Sequence, residues 1–547
     1  MKGPRLPKMA NQTREPALVE KQGRVARLLG LAAALLCGLV WAAAGVRTFS
    51  TPLGQDQSWL LYAARAVLHG VTLYGPELVE TNPPFAVWFD APAVFLGWLL
   101  HVGVIDGFRC FWLALAAMAG AWSAMLFKRL YRPTALGLWM FVAIVSVVGL
   151  LAVNGEDMGQ REHLVAMLLL PYLLASAFRM QRQKLPRWEL CAIGLVAAVA
   201  VCLKPQHVLD VALVEVLVLV RLRSWWEWVN WSWICLGAGV MLYLLAVKLF
   251  APTYLSQMVP LLKDTYWGFD ERWPVVWYSS KLPVFVVGIG ALIYISLRRR
   301  LRFESLDAAL LAAAVGARIA YFQQHKGWHY QLICFVYFGC VLLALCLADG
   351  LEQWIGDRRV PCARWAGRTD PLIVALAVAA VSLPYFMTHR QYSGYAEQPK
   401  EALSEIFKAY PKGTPVAFLS VNMWEFPAVL EQDKVLGSRY VHLWILPAII
   451  RSISAPGYDV RVYLAPERVA ALSTLLRTNE AEDLARWKPA VVVVDRCTLH
   501  QFCDSGLGTG EGKMMEWFEA DPAFRAQWSS YGFEKTVDGL DVYTRKR

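Results

Sequence analysis

Charged residues are scarce in this sequence: they make up 18% of its 547 residues, whereas hydrophobic residues make up 57%. A soluble globular domain carries about 25% charged residues. The apolar residues lie in long runs, and a run of about 17 to 25 is the length that a helix needs to cross the hydrocarbon region. This composition excludes an ordinary soluble domain and predicts an integral membrane protein.

Acidic residues are fewer than basic ones, 43 against 54, which gives a net charge of +11. In a soluble protein this excess would favour a nucleic-acid surface. Here the Lys and Arg residues cluster in alternate connections between apolar runs, and the positive-inside rule places such connections in the cytoplasm. The excess therefore indicates orientation, and no nucleic-acid partner is expected. The clusters lie at residues 2–27, 128–132, 179–187, 221–223, 298–302 and 358–368.

A convincing small-residue cleavage pattern is missing after the first apolar run, so we expect that run to stay as a first helix behind a cytoplasmic tail, residues 1–27. Charge alternation then predicts about eleven spans with the N-terminus inside. The predicted spans are residues 28–46, 108–127, 135–153, 164–178, 190–203, 208–220, 234–250, 282–297, 306–322, 332–347 and 371–387.

The first outer loop, residues 47–107, contains an apolar stretch that we do not count as a span. Residues 85–100 carry Asp90 and Pro92, and a crossing there would place the basic cluster at Lys128 outside. We expect this stretch to be a helix at the outer interface. The predicted fold is an α-helical polytopic membrane domain, residues 28–388, followed by an extracytoplasmic α/β domain, residues 389–547.

The C-terminal segment lacks repeats, low-complexity stretches, a Gly-rich phosphate loop and a Cys/His cluster with metal-ligand spacing. It alternates strand-like and helix-like runs, which predicts a small α/β domain. An extracytoplasmic location of this domain would permit a short-loop disulfide between Cys497 and Cys503, and the sequence leaves the disulfide and two free thiols as equal alternatives. The runs are residues 415–421, 466–476, 490–495, 513–528 and 533–543.

Polar groups gather on the outer side of this topology. Ionisable residues near lipid are costly and usually functional, so clustering at one face indicates a site, although loops are polar in any case. The group consists of Asp56, Asn82, Glu156, Asp157, Gln160, Arg161, Glu162, His163, Lys204, His207, Asp210, Arg318, Gln324, Lys326, Trp328, His329 and Tyr330.

The first loop resembles that of the GT-C superfamily of polytopic glycosyltransferases, which includes transferases of mannose and aminoarabinose from polyprenyl carriers. The motifs are an early acid in Gln55-Asp56-Gln57, a Gly-x-x-x-Tyr turn from Gly70 to Tyr74, and an Asn-Pro-Pro step at Asn82 leading into the interfacial helix. The resemblance implies transfer of a sugar from a polyprenyl-phosphate donor to a glycan, lipid or protein acceptor. The expected setting is the periplasmic face of a bacterial inner membrane.

The resemblance also implies roles for the outer residues. Asp56 matches the acid that takes a proton from the acceptor hydroxyl. The leaving phosphate needs cations, for which Arg161, Lys204, Arg318 and Lys326 are candidates. Candidates for contact with sugar or acceptor are Asn82, Glu156, Asp157, Glu162, His163, His207, Gln324, Trp328, His329 and Tyr330.

Each candidate has a structural alternative. Asp56 is equally an acceptable N-cap for a helix that starts at residue 57 or 58, and Arg161 has neighbouring acids with which to pair. Lys204 can snorkel at a helix end, and Asp210 can pair with Lys204 or His207. The aromatic residues of the loop at residues 251–281 are more typical of an interfacial belt than of a sugar platform.

The first loop lacks the paired acids that metal-dependent members of the superfamily use, although Glu156 and Asp157 could join Asp56 across the fold. We therefore expect no cofactor and a metal-independent reaction. Two other functions fit the chain. A transporter or flippase of a lipid-linked sugar is favoured only by Asp210 and Glu215, and a non-catalytic scaffold for envelope assembly would use the C-terminal domain to bind a partner.

Overall fold

The structure is a computed structural model that describes residues 16–151, 153, 155–356, 394–453, 464–496 and 513–546. The predicted span at residues 371–387 lies outside the described residues, as do Cys497 and Cys503. The described part of residues 16–356 contains fourteen α-helices, joined by connections that include short 3-10 turns. They are α1 (Pro16–Ser50), α2 (Gln55–Leu68), α3 (Pro84–Leu99), α4 (Val104–Tyr131), α5 (Ala135–Leu150), α6 (Arg161–Met180), α7 (Arg187–Leu203), α8 (Val208–Leu222), α9 (Trp231–Phe250), α10 (Val259–Thr265), α11 (Trp273–Tyr278), α12 (Lys281–Leu297), α13 (Glu304–Gln324) and α14 (Ile333–Gly356).

Helices are present at each of the first ten predicted spans and at the predicted interfacial stretch, but α1 begins well before residue 28 and α14 ends well beyond residue 347. Five helices in the described residues are long and apolar enough to cross a membrane, or six if residues 34–50 and α2 count as one bent span. The chain bends by 71° between these two helical pieces, and α2 packs against α3. The number of eleven spans stays a prediction.

The C-terminal segment contains a five-stranded mixed sheet in the order β2-β1-β3-β5-β4. Strands β1 (Pro415–Leu419), β2 (Val435–Leu436) and β3 (Val491–Asp495) are parallel, while β4 (Tyr531–Val537) and β5 (Leu540–Arg545) form an antiparallel hairpin beside β3. Its described helices are α15 (Gly394–Lys408), α16 (Ala428–Glu431), α17 (Leu446–Ile453), α18 (Pro466–Trp487), α19 (Lys513–Glu519) and α20 (Pro522–Trp528).

Two predicted C-terminal runs are each divided by a local signal. The run at residues 513–528 forms two helices, because the Asp521 carboxylate accepts hydrogen bonds from the Ala523 and Phe524 amides and caps α20. The run at residues 533–543 falls within the β4–β5 hairpin, because Asp538 and Gly539 both have positive φ, as a tight hairpin turn requires.

The C-terminal segment packs against the first loop. The Val79 amide donates to the Arg439 carbonyl at 2.9 Å, and the Leu436 amide donates to the Tyr62 hydroxyl at 2.9 Å. The Trp59 ring packs edge-on against Phe426, with centroids 5.7 Å apart. These contacts fix the C-terminal sheet above α2, where the segment that follows β1 closes one side of a cavity.

Candidate active site

A cavity of about 1720 Å³ lies between the first loop, the connections α7–α8 and α13–α14, the loop at residues 251–281 and the C-terminal segment. Most of the predicted site residues line it together, although they come from distant parts of the sequence. Those on the cavity wall are Asp56, Asn82, Glu156, Asp157, Arg161, Lys204, Gln324, Lys326, Trp328, His329 and Tyr330.

Asp56 lies in the first turn of α2 rather than at its cap. The helix begins at Gln55, and Gly54 is the N-cap, so the alternative that Asp56 caps the helix is wrong. Its Oδ2 accepts a hydrogen bond from Gln160 Nε2 at 3.1 Å and lies 3.8 Å from Arg161 Nη2. The position at a helix N-terminus favours the carboxylate form, because the helix dipole is positive there.

Asn82 connects a buried acid to Arg161. The Glu80 carboxylate accepts hydrogen bonds from Trp59 Nε1 and from both the backbone and the side-chain nitrogen of Asn82, the last two at 2.7 Å. The side-chain oxygen of Asn82 is thereby directed to Arg161, whose Nη1 donates to it. The prolines that follow Asn82 start α3, because proline is preorganised for the first turn of a helix.

The start of α6 places Arg161 and Gln160 on the cavity wall. Gln160 is the N-cap, and its side chain accepts from the Arg161 amide. Gly159 precedes it with φ +77°, and a Cβ there would lie 2.9 Å from the Phe108 ring. Only glycine fits both constraints, so the turn before α6 is fixed by its sequence.

The predicted phosphate-binding cations differ in their surroundings. Lys204 Nζ lies 2.8 Å from Glu162 Oε1, and Lys326 Nζ lies 2.5 Å from Asp270 Oδ1. Arg318 does not line the cavity: its Nη2 donates to the Ser280 hydroxyl at 2.6 Å, and four aromatic rings surround it, the nearest being Phe322 at 4.0 Å. Arg318 is therefore not brought together with the other three.

Three further predicted residues lie behind the wall. Glu162 is fully buried and bound to Lys204. His163 accepts from the Gly159 amide at Nδ1 and donates from Nε2 to the Gly149 carbonyl, which accounts for both ring nitrogens. His207 is fully buried beside Asp210, with 2.9 Å between Nδ1 and Oδ2. Asp210 thus pairs with His207, one of the two alternatives in the sequence.

The acids that favoured a transporter are both engaged. Asp210 pairs with His207, and the Glu215 carboxylate accepts from the Tyr172 hydroxyl and from Arg179. Glu156 and Asp157 also have partners, Lys400 at 3.1 Å and His329 at 3.2 Å. The expected metal-independent reaction stays a prediction.

Aromatic residues also line the cavity. Trp328 and Tyr330 are stacked with centroids 5.7 Å apart, and Tyr330 also lies 5.7 Å from Lys204 Nζ. The loop at residues 251–281 divides between two surroundings: Tyr254, Tyr266, Trp267 and Phe269 line the cavity, whereas Trp273 and Trp277 are exposed away from it, and Tyr278 is an exposed residue at the cavity wall. The interpretation of the whole loop as an interfacial belt therefore fits only part of it.

Several wall residues escaped the sequence analysis. Glu80 lies two residues before Asn82, and its place in the same motif is a signal that could have identified it. Lys281 begins α12 with its ammonium 3.9 Å above the Tyr278 ring. The C-terminal segment contributes Lys400, Val421, Asn422, Met423, Trp424, Val441 and His442, which no local motif marks.

Burial at the cavity shifts the pKa values of several of its side chains. Burial raises the pKa of the Asp56 carboxyl above its usual value, although the charges of Arg161 and Lys204 act in the opposite direction. Burial likewise raises the pKa of Glu80 against its hydrogen bonds. Burial lowers the pKa of Lys326 despite Asp270, and it lowers the pKa of His442 to about 4, so that ring is neutral near pH 7.

No protein-family model and no curated protein sequence matches the chain. Solved structures do. ArnT from Cupriavidus metallidurans, crystallised with undecaprenyl phosphate, aligns over 94% of this chain and 97% of its own with a TM-score of 0.53 and 12% identity. The arabinofuranosyltransferase AftD from mycobacteria aligns over 93% of this chain and 40% of its own, with a TM-score of 0.43 and 15% identity. The chain therefore shares the fold of ArnT.

Proposed function

We propose that the chain is a glycosyltransferase that moves a sugar from a polyprenyl-phosphate carrier to an acceptor at the periplasmic face of a bacterial inner membrane. One observation carries the proposal: Asp56 presents a carboxylate, 19% exposed, to a large cavity whose wall also holds Arg161, Lys204 and Lys326. The fold of ArnT, a protein crystallised with undecaprenyl phosphate, supports the class of donor.

The reaction needs one base and a cationic site. The acceptor oxygen attacks the anomeric carbon, its proton passes to the Asp56 carboxylate, and the bond between that carbon and the phosphate oxygen breaks. The polyprenyl phosphate leaves with the negative charge, which the cations of the cavity wall stabilise. A raised pKa makes Asp56 a stronger base than an exposed aspartate, while the charges of Arg161 and Lys204 act to lower that pKa.

Asp56 suits the role of base better than Glu80. Glu80 already accepts three hydrogen bonds from Trp59 and Asn82. Asp56 accepts one, from Gln160 at Oδ2, and within the described residues its Oδ1 has no hydrogen-bond partner. The remaining oxygen is available to a hydroxyl in the cavity, whereas Glu80 orients Asn82.

The test is sugar release from radiolabelled undecaprenyl-phosphate sugars by the purified chain in lipid nanodiscs. Asp56→Asn keeps the size and the Gln160 contact but cannot take a proton, so we expect turnover to fall about 100-fold to 10,000-fold. Asp106→Asn is the matched control, because Asp106 is an outer-loop acid that does not line the cavity. Unchanged turnover in folded Asp56→Asn would remove Asp56 from the reaction.

A further inference from the structure

His207, Asp210 and Cys334 come together outside the cavity. His207 ends the 3-10 turn Pro205–His207, Asp210 lies in the first turn of α8, and Cys334 is the second residue of α14. All three are fully buried, and one ring nitrogen of His207, one carboxylate oxygen of Asp210 and the sulfur of Cys334 lie within 4.8 Å of one another. None of them lines the cavity, so the group is separate from the proposed catalytic site.

Hydrogen bonding leaves part of this group unexplained. His207 Nδ1 contacts Asp210 Oδ2 at 2.9 Å, and the Cys334 thiol donates to the Glu162 carbonyl at 3.1 Å. His207 Nε2 and Asp210 Oδ1 are buried, and neither has a hydrogen-bond partner among the described residues. Buried polar atoms normally have partners, so two unsatisfied atoms in one small group point to a missing ligand.

We propose that His207, Asp210 and Cys334 bind one zinc ion. Imidazole, carboxylate and thiolate are the ligand types that zinc takes in proteins, whereas calcium and magnesium prefer oxygen alone. The thiol loses its proton to solvent when it binds the metal. The carboxylate and the thiolate then balance the charge of the ion, which lowers the cost of placing it among buried groups.

The position of the group indicates what the ion would do. The His207 amide donates to the Lys204 carbonyl at 3.0 Å, so His207 and Lys204 close the same turn. Cys334 follows Tyr330 by four residues, and the Tyr330 ring lies below the Lys204 ammonium. An ion that joins α8 to the start of α14 would fix the positions of Lys204 and Tyr330 relative to each other, without entering the reaction.

The packing around α8 supports a rigid group. A Cβ on Gly316 of α13 would lie 2.5 Å from the Asp210 Cα, so the backbone of α13 directly abuts the turn that carries Asp210. Asp210 itself is fully buried. The carboxylate therefore has to find its partners inside the protein.

The experiment measures metal in the purified chain, prepared with a tag that does not bind metal and equilibrated with zinc. Mass spectrometry of the dialysed protein should give about one zinc per chain in the parent and in Cys202→Ser, and far less in Cys334→Ser. Cys202 is the matched control, because it is a buried cysteine outside the group. Folding of each variant is checked by size-exclusion chromatography and melting temperature.

A second measurement covers the case in which Cys334→Ser does not fold. Cobalt added to the zinc-free parent and to Cys202→Ser should produce sulfur-to-cobalt charge-transfer absorption, which only a thiolate ligand gives. A folded parent that holds no zinc after equilibration and gives no such absorption with cobalt would overturn the proposal. Equal zinc in the parent and in folded Cys334→Ser would also overturn it, whatever the transferase activity.

Discussion

Helix α6 carries a buried arginine at each end, about 27 Å apart, and the two have different surroundings. Arg179 donates to Glu215 Oε1 at 2.7 Å and to the Glu227 carbonyl at 2.5 Å, and the Tyr172 hydroxyl donates to the same Glu215 oxygen. Arg161 contacts Asn82 and, more loosely, Asp56, and it lines the cavity.

The comparison teaches that burial of a charge does not by itself indicate a site. Both arginines are costly to bury, and both have an acidic partner. Only Arg161 combines a long ion pair of 3.8 Å with access to a cavity that other cations share. The end of α6 at Arg161 is therefore arranged for a ligand, whereas the end at Arg179 joins α6 to α8.

The largest expected effect comes from removing each arginine in turn. Arg161→Ala should lower turnover about 100-fold to 1,000-fold, because it removes a donor from the charged site. Arg179→Ala should leave turnover per folded molecule near that of the parent but lower stability by about 3 to 5 kcal/mol, since Glu215 is left buried without its cation. Turnover and melting temperature are measured on the same preparations; a stability loss in Arg161→Ala as large as that of Arg179→Ala would abolish the distinction.

The sequence predicted the helices and much of the cavity because both follow from local patterns. Long apolar runs predict helices in any context, and Asp56, Asn82, Arg161 and Lys204 all adjoin the ends of such runs on the predicted outer side. Residues at the same ends of neighbouring antiparallel helices meet in space, so no knowledge of packing was needed to place them together.

Other parts of the site depend on packing that one sequence does not encode locally. Arg318 and Gln324 are six residues apart, which places them about 120° apart around α13, so Gln324 lines the cavity while Arg318 packs among rings. His442 and Asn422 reach the wall only because the C-terminal sheet packs on α2. Sequence patterns predict the strands and helices of that segment, but they do not predict which of its surfaces packs against the helices of residues 16–356.

A smaller effect is expected from Lys281, which differs from Lys204 and Lys326 in its surroundings at the cavity wall. In the described part of the chain no carboxylate lies within ion-pair distance of Lys281, which lines the cavity, whereas Lys204 and Lys326 each have one. Lys281→Ala should weaken binding of undecaprenyl phosphate about 3-fold to 10-fold, as loss of one charge-assisted contact does. Lys263→Ala is the control, because Lys263 does not line the cavity; equal affinities in the two variants would contradict a role for Lys281.

The smallest effect is a displacement of the pH profile. The Gln160 hydrogen bond acts to lower the pKa of Asp56, in the same direction as Arg161. Gln160→Ser keeps a residue that can cap α6 but is too short for this contact, so the pKa of Asp56 should rise. A base must be unprotonated to act, so the acidic limb of kcat/KM should move to higher pH while the plateau stays near that of the parent.

Two control variants test whether this limb reports Asp56. Gln206→Ser changes a cavity residue that does not bond Asp56 and should leave the limb in place, as should Arg179→Ala at the other end of α6. A limb that moves equally in all three variants would show that it does not report Asp56.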